Sequence, residues 1–258
     1  MQLPQPIIAI FWHFQPLLTA PSYRKMIVLI CGTVLARGRR TVTAALKILG
    51  YEKQTNWTKY HNLLNRAKWR GLTASTLLLT LLVKVFVPLN APLEIVVDET
   101  LERRWGKNIQ KKGHWRDRAA SSHGKNVTTS GLKWLTFALV VKLPWSSRRW
   151  ALPFLAVLMT TPKVSKELGL AHHTVTKRTG QVVKWLAKLF IHRNIKLIGD
   201  GAYSVINLGL LCRRKHITLI APKARCPLVC PTTTPPNYHQ RPTTSSRRKA
   251  STFKYPGY

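Results

Sequence analysis

Through the first third of the chain apolar residues recur at helical spacing, and the stretches 25–35, 41–49, 56–69 and 73–87 each predict a helix. In the second of these Val42, Ala45, Leu46 and Leu49 fall at the i, i+3, i+4, i+7 positions of one face, and Gly50 is placed to close it. The next helix is expected to begin near Thr55 or Asn56, either a suitable cap. Two short helices flanked by basic residues fit a helix-turn-helix that grips DNA, and they fit equally a pair that only packs.

From Leu93 onward the pattern shortens to strands. Residues 94–98 are a β-branched run that ends in the carboxylate of Asp98, as a central strand presenting a side chain at its end would be. Residues 132–143 and 150–159 are two more apolar runs, separated by a Pro/Ser/Arg turn at 144–149, and together they read as a meander. Residues 175–192 carry one apolar stripe between lysines and arginines and predict an amphipathic helix. Then come a strand at 196–200 ending in Asp200, a helix at 205–215 and a last strand at 217–220. The expected order is three strands, a helix, a strand, a helix and a strand. Past Pro222 the composition turns to Thr, Pro, Ser and Arg, which cannot bury enough apolar surface to offset ordering, and disorder is expected there. The expected organisation is an all-α region over 1–90, an α/β domain over 91–222 and a disordered basic tail over 223–258.

Composition adds the partner. With 45% apolar residues the chain can bury a core, while 42 Lys and Arg against 8 Asp and Glu leave a formal charge of +34, whose natural counter-ion is nucleic acid. The amino terminus lacks the positive start of a secretory signal, and the most membrane-like stretch, 72–89, is interrupted by Lys84 and Pro88. No membrane partner and a cytoplasmic location are expected. Cys31, Cys212, Cys226 and Cys230 lack both a disulfide framework and the spacing of familiar zinc sites, even with His216 beside them, and read as free thiols. His172 and His173, adjacent in sequence, are expected to face solvent.

In so basic a chain the carboxylates are informative, and four of them, Glu94, Asp98, Glu99 and Glu102, fall close together. Glu99 and Glu102 read as partners of Arg103 and Arg104. A single strand-end aspartate is commonly a cap or turn residue, but Asp98 and Asp200 both follow hydrophobic strands. Neighbouring parallel strands would bring both to one end of the sheet, where two hard oxygens suit Mg²⁺ or Mn²⁺ and phosphodiester chemistry. Trp105, Trp115 and Trp134 lie among Arg and Lys, an interleaving that fits base stacking and core packing equally well.

The order of elements is that of a ribonuclease-H-like core, and Val97-Asp-Glu-Thr-Leu-Glu-Arg-Arg-Trp-Gly106 resembles the first-aspartate motif of the DDE transposases of bacterial insertion sequences. Ser121-Ser-His-Gly124, Ser130-Gly-Leu-Lys-Trp134, Arg149-Trp-Ala-Leu-Pro-Phe154 and Gly199-Asp-Gly-Ala-Tyr203 are similar to the same family, as are Arg40-Thr-Val-Thr-Ala-Ala45 and Asn62-Leu-Leu-Asn-Arg-Ala-Lys-Trp69. The resemblance spans about residues 20–222. It implies an α/β ribonuclease-H-like fold behind a helical region and double-stranded DNA, both transposon ends and target, as partner. It also implies work as a homo-oligomeric assembly, and metal-dependent hydrolysis followed by attack of the freed 3′ hydroxyl on target DNA. Asp98 and Asp200 become the first two acids of a catalytic, metal-binding triad served by Mg²⁺ or Mn²⁺, and Arg39, Arg40, Arg103, Arg104, His123 and Lys125 become candidate DNA contacts. The family takes its third acid from a later helix, yet no Asp or Glu follows Asp200. We therefore read the change near Lys223 as a frameshift with an early stop, and expect impaired or absent catalysis. The alternatives are a noncatalytic DNA-binding remnant and an unstable product without function.

Overall fold

The structure is a computed structural model that describes residues 3–53, 56–122 and 124–222. The helices of the first third are α1 (Gln5–Trp12), α2 (Ala20–Leu35), α3 (Val42–Ile48), α4 (Thr58–Arg66) and α5 (Gly71–Phe86). Helix α3 is built as its sequence implies. Thr41 caps its start by accepting from Ala44 N, and Gly50 at φ +77° lets Gly50 N reach Lys47 O and Tyr51 N reach Leu46 O. Helix α4 begins later than expected, at Thr58 behind Trp57, which lends no side-chain cap. Residues 49–57 separate α3 from α4, far more than the turn of about three or four residues in a helix-turn-helix. Leu29, Leu46, Tyr60 and Leu63 instead form a small core of their own under α2, α3 and α4.

Gly32 shows how closely α2 and α3 approach, because a Cβ there would lie 2.2 Å from Ala45 O. Pushing two packed backbones apart costs up to about 3 kcal/mol, more than the ~1 kcal/mol of helix propensity that alanine returns. Gly32→Ala should therefore lower stability by about 1–2 kcal/mol in urea unfolding. Gly209→Ala, in a helix position with open space around it, should raise it by up to about 1 kcal/mol.

The remaining elements are β1 (Leu93–Arg103), β2 (Gly113–Arg116), β3 (Thr128–Lys142), β4 (Arg149–Met159), α6 (Pro162–Glu167), α7 (Val175–Leu189), β5 (Ile195–Ile198), α8 (Ile206–Arg214) and β6 (Ile217–Ile220). Four strands precede α7 rather than three. The short β2 has no hydrophobic alternation to announce it, and it forms by pairing Gly113–Arg116 with the first residues of β3. The sheet runs β2-β3-β1-β5-β6, with β4 on the same side of β3 as β2 but further along it. β1 and β3 are antiparallel, while β1, β5 and β6 are parallel, which is the ribonuclease-H-like arrangement in a mixed α/β fold.

Ile95 and Val97 of β1 register with Leu139 and Phe137 of β3, and Leu93 and Ile95 with Ile195 and Leu197 of β5, so one face of the sheet is a continuous buried row. Helices α5, α7 and α8 close over that row with Leu79 and Val83, Val183 and Leu186, and Leu208 and Cys212. The apolar stretch at 72–89 thus gives Leu79 and Val83 to the core of the sheet, while Leu72, Val85 and Leu89 stay exposed. Among the described residues no single helix is long and apolar enough to cross a membrane; α4 and α5 would qualify only as a pair bent by 95°. The thiol of Cys212 is buried and pushed up to about 11 by that burial, so it acts as a core residue. The expected disorder of 223–258, with Cys226 and Cys230, lies outside the described residues.

Candidate active site at the carboxyl ends of β1 and β5

The last registered pair between β1 and β5 is Val96 with Ile198, so Asp98 and Asp200 stand at the same register position, two residues beyond the last pair on adjacent parallel strands. This is the end of an open parallel sheet at which ligands bind. The Asp98 carboxylate accepts from Glu99 N at 2.7 Å through one oxygen. Asp200 caps the turn Gly201–Tyr203 by accepting from Ala202 N at 3.0 Å, and its second oxygen faces Arg118 Nη1 at 3.0 Å. Both the bland role of a strand-end aspartate and an external cation therefore meet in one side chain.

Tyr203 packs beneath this pair. A Cβ at position 199 would lie 2.7 Å from its ring, so glycine at 199 is what lets the ring fold back over the strand end. Its hydroxyl is buried with no hydrogen-bond partner among the described residues. Burial pushes that hydroxyl far above its ordinary pKa, and the nearby carboxylates of Glu99, Asp200 and Asp98 push it further. Glu99, Asp200 and Asp98 thus all bear on one tyrosine.

They do not form one ligand set. Strand alternation sends Glu99 to the face opposite Asp98, where it pairs with Lys133, and not with an arginine. Glu102 accepts from Trp134 Nε1 at 3.0 Å and pairs with Arg104, and its pKa is lowered first by the tryptophan bond. Among the described residues no three His, Cys, Asp or Glu side chains gather as a metal site.

Asp117 is the residue that sequence reasoning passed over. It is 4% exposed, accepts from Arg103 at 2.7 Å, from Thr129 Oγ1 at 3.3 Å, and from Ala119 N and Ala120 N at 3.1 and 3.2 Å. By binding β1, β3 and the backbone after β2 together, it shapes the loop that carries Arg118 to Asp200. The available signal was a lone carboxylate between Arg116 and Arg118 in a polycation. Arg103 foremost, then the Ala120 amide and Thr129, hold the Asp117 carboxyl below the usual range against the opposing effect of burial. A depressed folded-state pKa gives stability that is complete above the unfolded value of about 4 and is lost as pH falls through the folded value. Denaturation midpoints should decline below about pH 4, and Asp117→Asn should lower the neutral-pH midpoint and flatten that acid limb.

The candidate DNA contacts divide by environment. Arg39 and Arg40 are exposed ahead of α3, and Lys125 is exposed in the loop after β2. Arg103 and Arg104 hold Asp117 and Glu102 while staying about half exposed, 49% and 53% by side chain. His123 lies outside the described residues. Of the tryptophans, Trp115 lies under Lys133, 5.2 Å from ring centroid to Nζ, Trp134 is bonded to Glu102, and only Trp105 of the three, 75% exposed, is free to stack. His172 is exposed as expected, whereas His173 is half-buried with Nδ1 lacking a partner among the described residues.

The chain has no match among curated proteins. Among solved structures it is similar to the piggyBac transposase synaptic complex with hairpin DNA, determined by cryo-EM, at 11% identity and a TM-score of 0.36. That likeness covers 78% of this chain and only 40% of the other, and is too slight to carry an inference. The family described as DDE superfamily endonuclease matches residues 13–256, running on through the segment whose composition was expected to leave the family. With that match spanning nearly its whole length, the chain belongs to the DDE superfamily endonucleases.

Proposed function

We propose that the chain is a DNA transposase, or a copy derived from one, in which Asp98 and Asp200 hold a divalent cation for DNA strand cleavage and transfer. The observation that supports this reading is their shared register position at the carboxyl ends of β1 and β5. DDE nucleases generally use divalent metal ions. Two carboxylates are a donor set that fits Mg²⁺ or Mn²⁺, which accept phosphate oxygens and water in their remaining positions. An ion bound there supplies positive charge for the phosphodiester as negative charge develops on it. The chain's own residues do the rest: Asp117 shapes the loop that carries Arg118 to the acids, Tyr203 seals the floor beneath them, and Arg39, Arg40, Arg103, Arg104, His123 and Lys125 draw the DNA backbone.

With only Asp98 and Asp200 at this strand end among the described residues, we read cleavage by this chain as reduced. A second reading, a noncatalytic DNA-binding protein of cytoplasmic location, is favoured by the lack of a third metal-binding side chain at the pair among the described residues. Supercoiled plasmid nicking in Mg²⁺ and Mn²⁺ separates the two. Nicking that disappears in Asp98→Asn supports the enzyme, and duplex binding that persists in EDTA without any nicking supports the binder.

A further inference from the structure

The opposite end of the sheet carries a feature that the acids do not account for. Where α7 ends and β5 begins, and where α8 ends and β6 begins, a cleft of about 520 Å³ opens at the surface. Lys184, Lys188, Arg214 and Lys215, with His192 and His216, line it from exposed positions, and no carboxylate lines it. Among the described residues none of these four cations has an ion-pair partner, in contrast to Arg103, Arg104, Arg118, Lys133, Arg149 and Lys196. The floor is firm, because Arg193 donates to Pro88 O and Ala91 O at 2.8 Å each and ties the chain before β1 to the start of β5.

Two helix carboxyl ends meet here, and basic residues near such ends offset their dipoles. Those two ends together amount to about one negative charge, so of the four lysine and arginine charges roughly three are left over. A further observation points outward. Helices α3 and α6 are followed by Gly50 and Gly169 at positive φ, whereas at the corresponding position after α8 stands His216 at φ +55°. A left-handed residue other than glycine carries a conformational cost. That cost places an imidazole on the cleft instead of a hydrogen.

We propose that this cleft is a second docking locus for duplex DNA, one that holds the phosphate backbone without reading bases. It is separated from the acids by the length of β5, about 17 Å from residue 195 to residue 200 at ~3.3 Å per residue. A phosphodiester at Asp98 and Asp200 and a phosphate row in the cleft are therefore different stretches of DNA backbone. The locus needs no metal and no chemistry at the acids. A failure here leaves the strand-cleavage reading standing, and the reverse holds too.

The test uses the full chain in EDTA with a fluorescent duplex of arbitrary sequence. Each phosphate neutralised contributes about 0.9 to the slope of log affinity against log salt concentration, so Lys184→Gln, Lys188→Gln and Lys215→Gln combined should flatten that slope by about 2.7. The corresponding triple Lys→Arg variant should keep the wild-type slope, which separates charge from folding. A photocrosslinking residue at Ile191, 75% exposed at the cleft, should label the bound duplex and lose the label as salt rises. An unchanged slope in the Gln variant, or a duplex that binds but is not labelled from position 191, overturns the proposal. So does a triple Gln variant that loses binding to phosphatidylserine vesicles while keeping its DNA slope.

Discussion

Asp98→Asn and Asp200→Asn should each remove about a hundredfold or more of whatever Mg²⁺- or Mn²⁺-dependent plasmid nicking the wild-type chain shows, while duplex binding in EDTA stays within about twofold. The asymmetry follows from what each carboxylate does. Asp98 accepts its own neighbour's amide on one oxygen. Asp200 gives one to Ala202 N and faces Arg118 with the second. Asparagine preserves the cap and the amide bond but removes the negative charge that a hard cation requires. A loss of about 3 kcal/mol of transition-state stabilisation corresponds to such a hundredfold change. Mn²⁺ titration followed by electron paramagnetic resonance gives a readout independent of turnover, and each variant should weaken the ion's binding. A wild-type chain that binds duplex but shows neither nicking nor Mn²⁺ uptake would overturn the enzymatic reading in favour of the binder.

The second large effect concerns the scaffold that sets the register of those acids. Phe137 is fully buried in β3 and lies directly opposite Val97, the residue before Asp98. Phe137→Ala should lower stability by about 3–5 kcal/mol, combining lost transfer energy with a cavity that the sheet cannot close. Domains of ordinary stability have only about 5–15 kcal/mol in hand, so urea unfolding should move to much lower denaturant or become non-cooperative. Leu89→Ala, at a position 86% exposed, should shift the midpoint by under about 0.5 kcal/mol. Equal losses for the two substitutions would contradict the core described above.

The apolar runs at β3, β4 and β6 were legible as short apolar stretches bounded by polar or turn residues, and the striped helix α7 because burial of one face imposes a period of 3.6 on its apolar positions. Asp98 and Asp200 were legible as acids that each close a short apolar run at its carboxyl end. The start of α4 and the strand β2 were not, since Thr58 has no capping side chain before it and Gly113–Arg116 forms only against a ready-made β3. Asp117 was invisible as an organiser because its partners, Arg103, Thr129 and two amides, come from separate elements.

By itself, then, the sequence determined the type of the long apolar elements, the basic character and the two strand-end acids, all properties of local period and composition. Only the tertiary structure decided which charges are neutralised. Strand pairing and loop closure brought Arg118 to Asp200, Arg103 to Asp117 and Lys133 to Glu99 across long sequence separations, while the lysines at the ends of α7 and α8 meet no anion among the described residues. Opposite charges attract over a few ångströms of space, and the spacing of residues along a chain does not contain that distance.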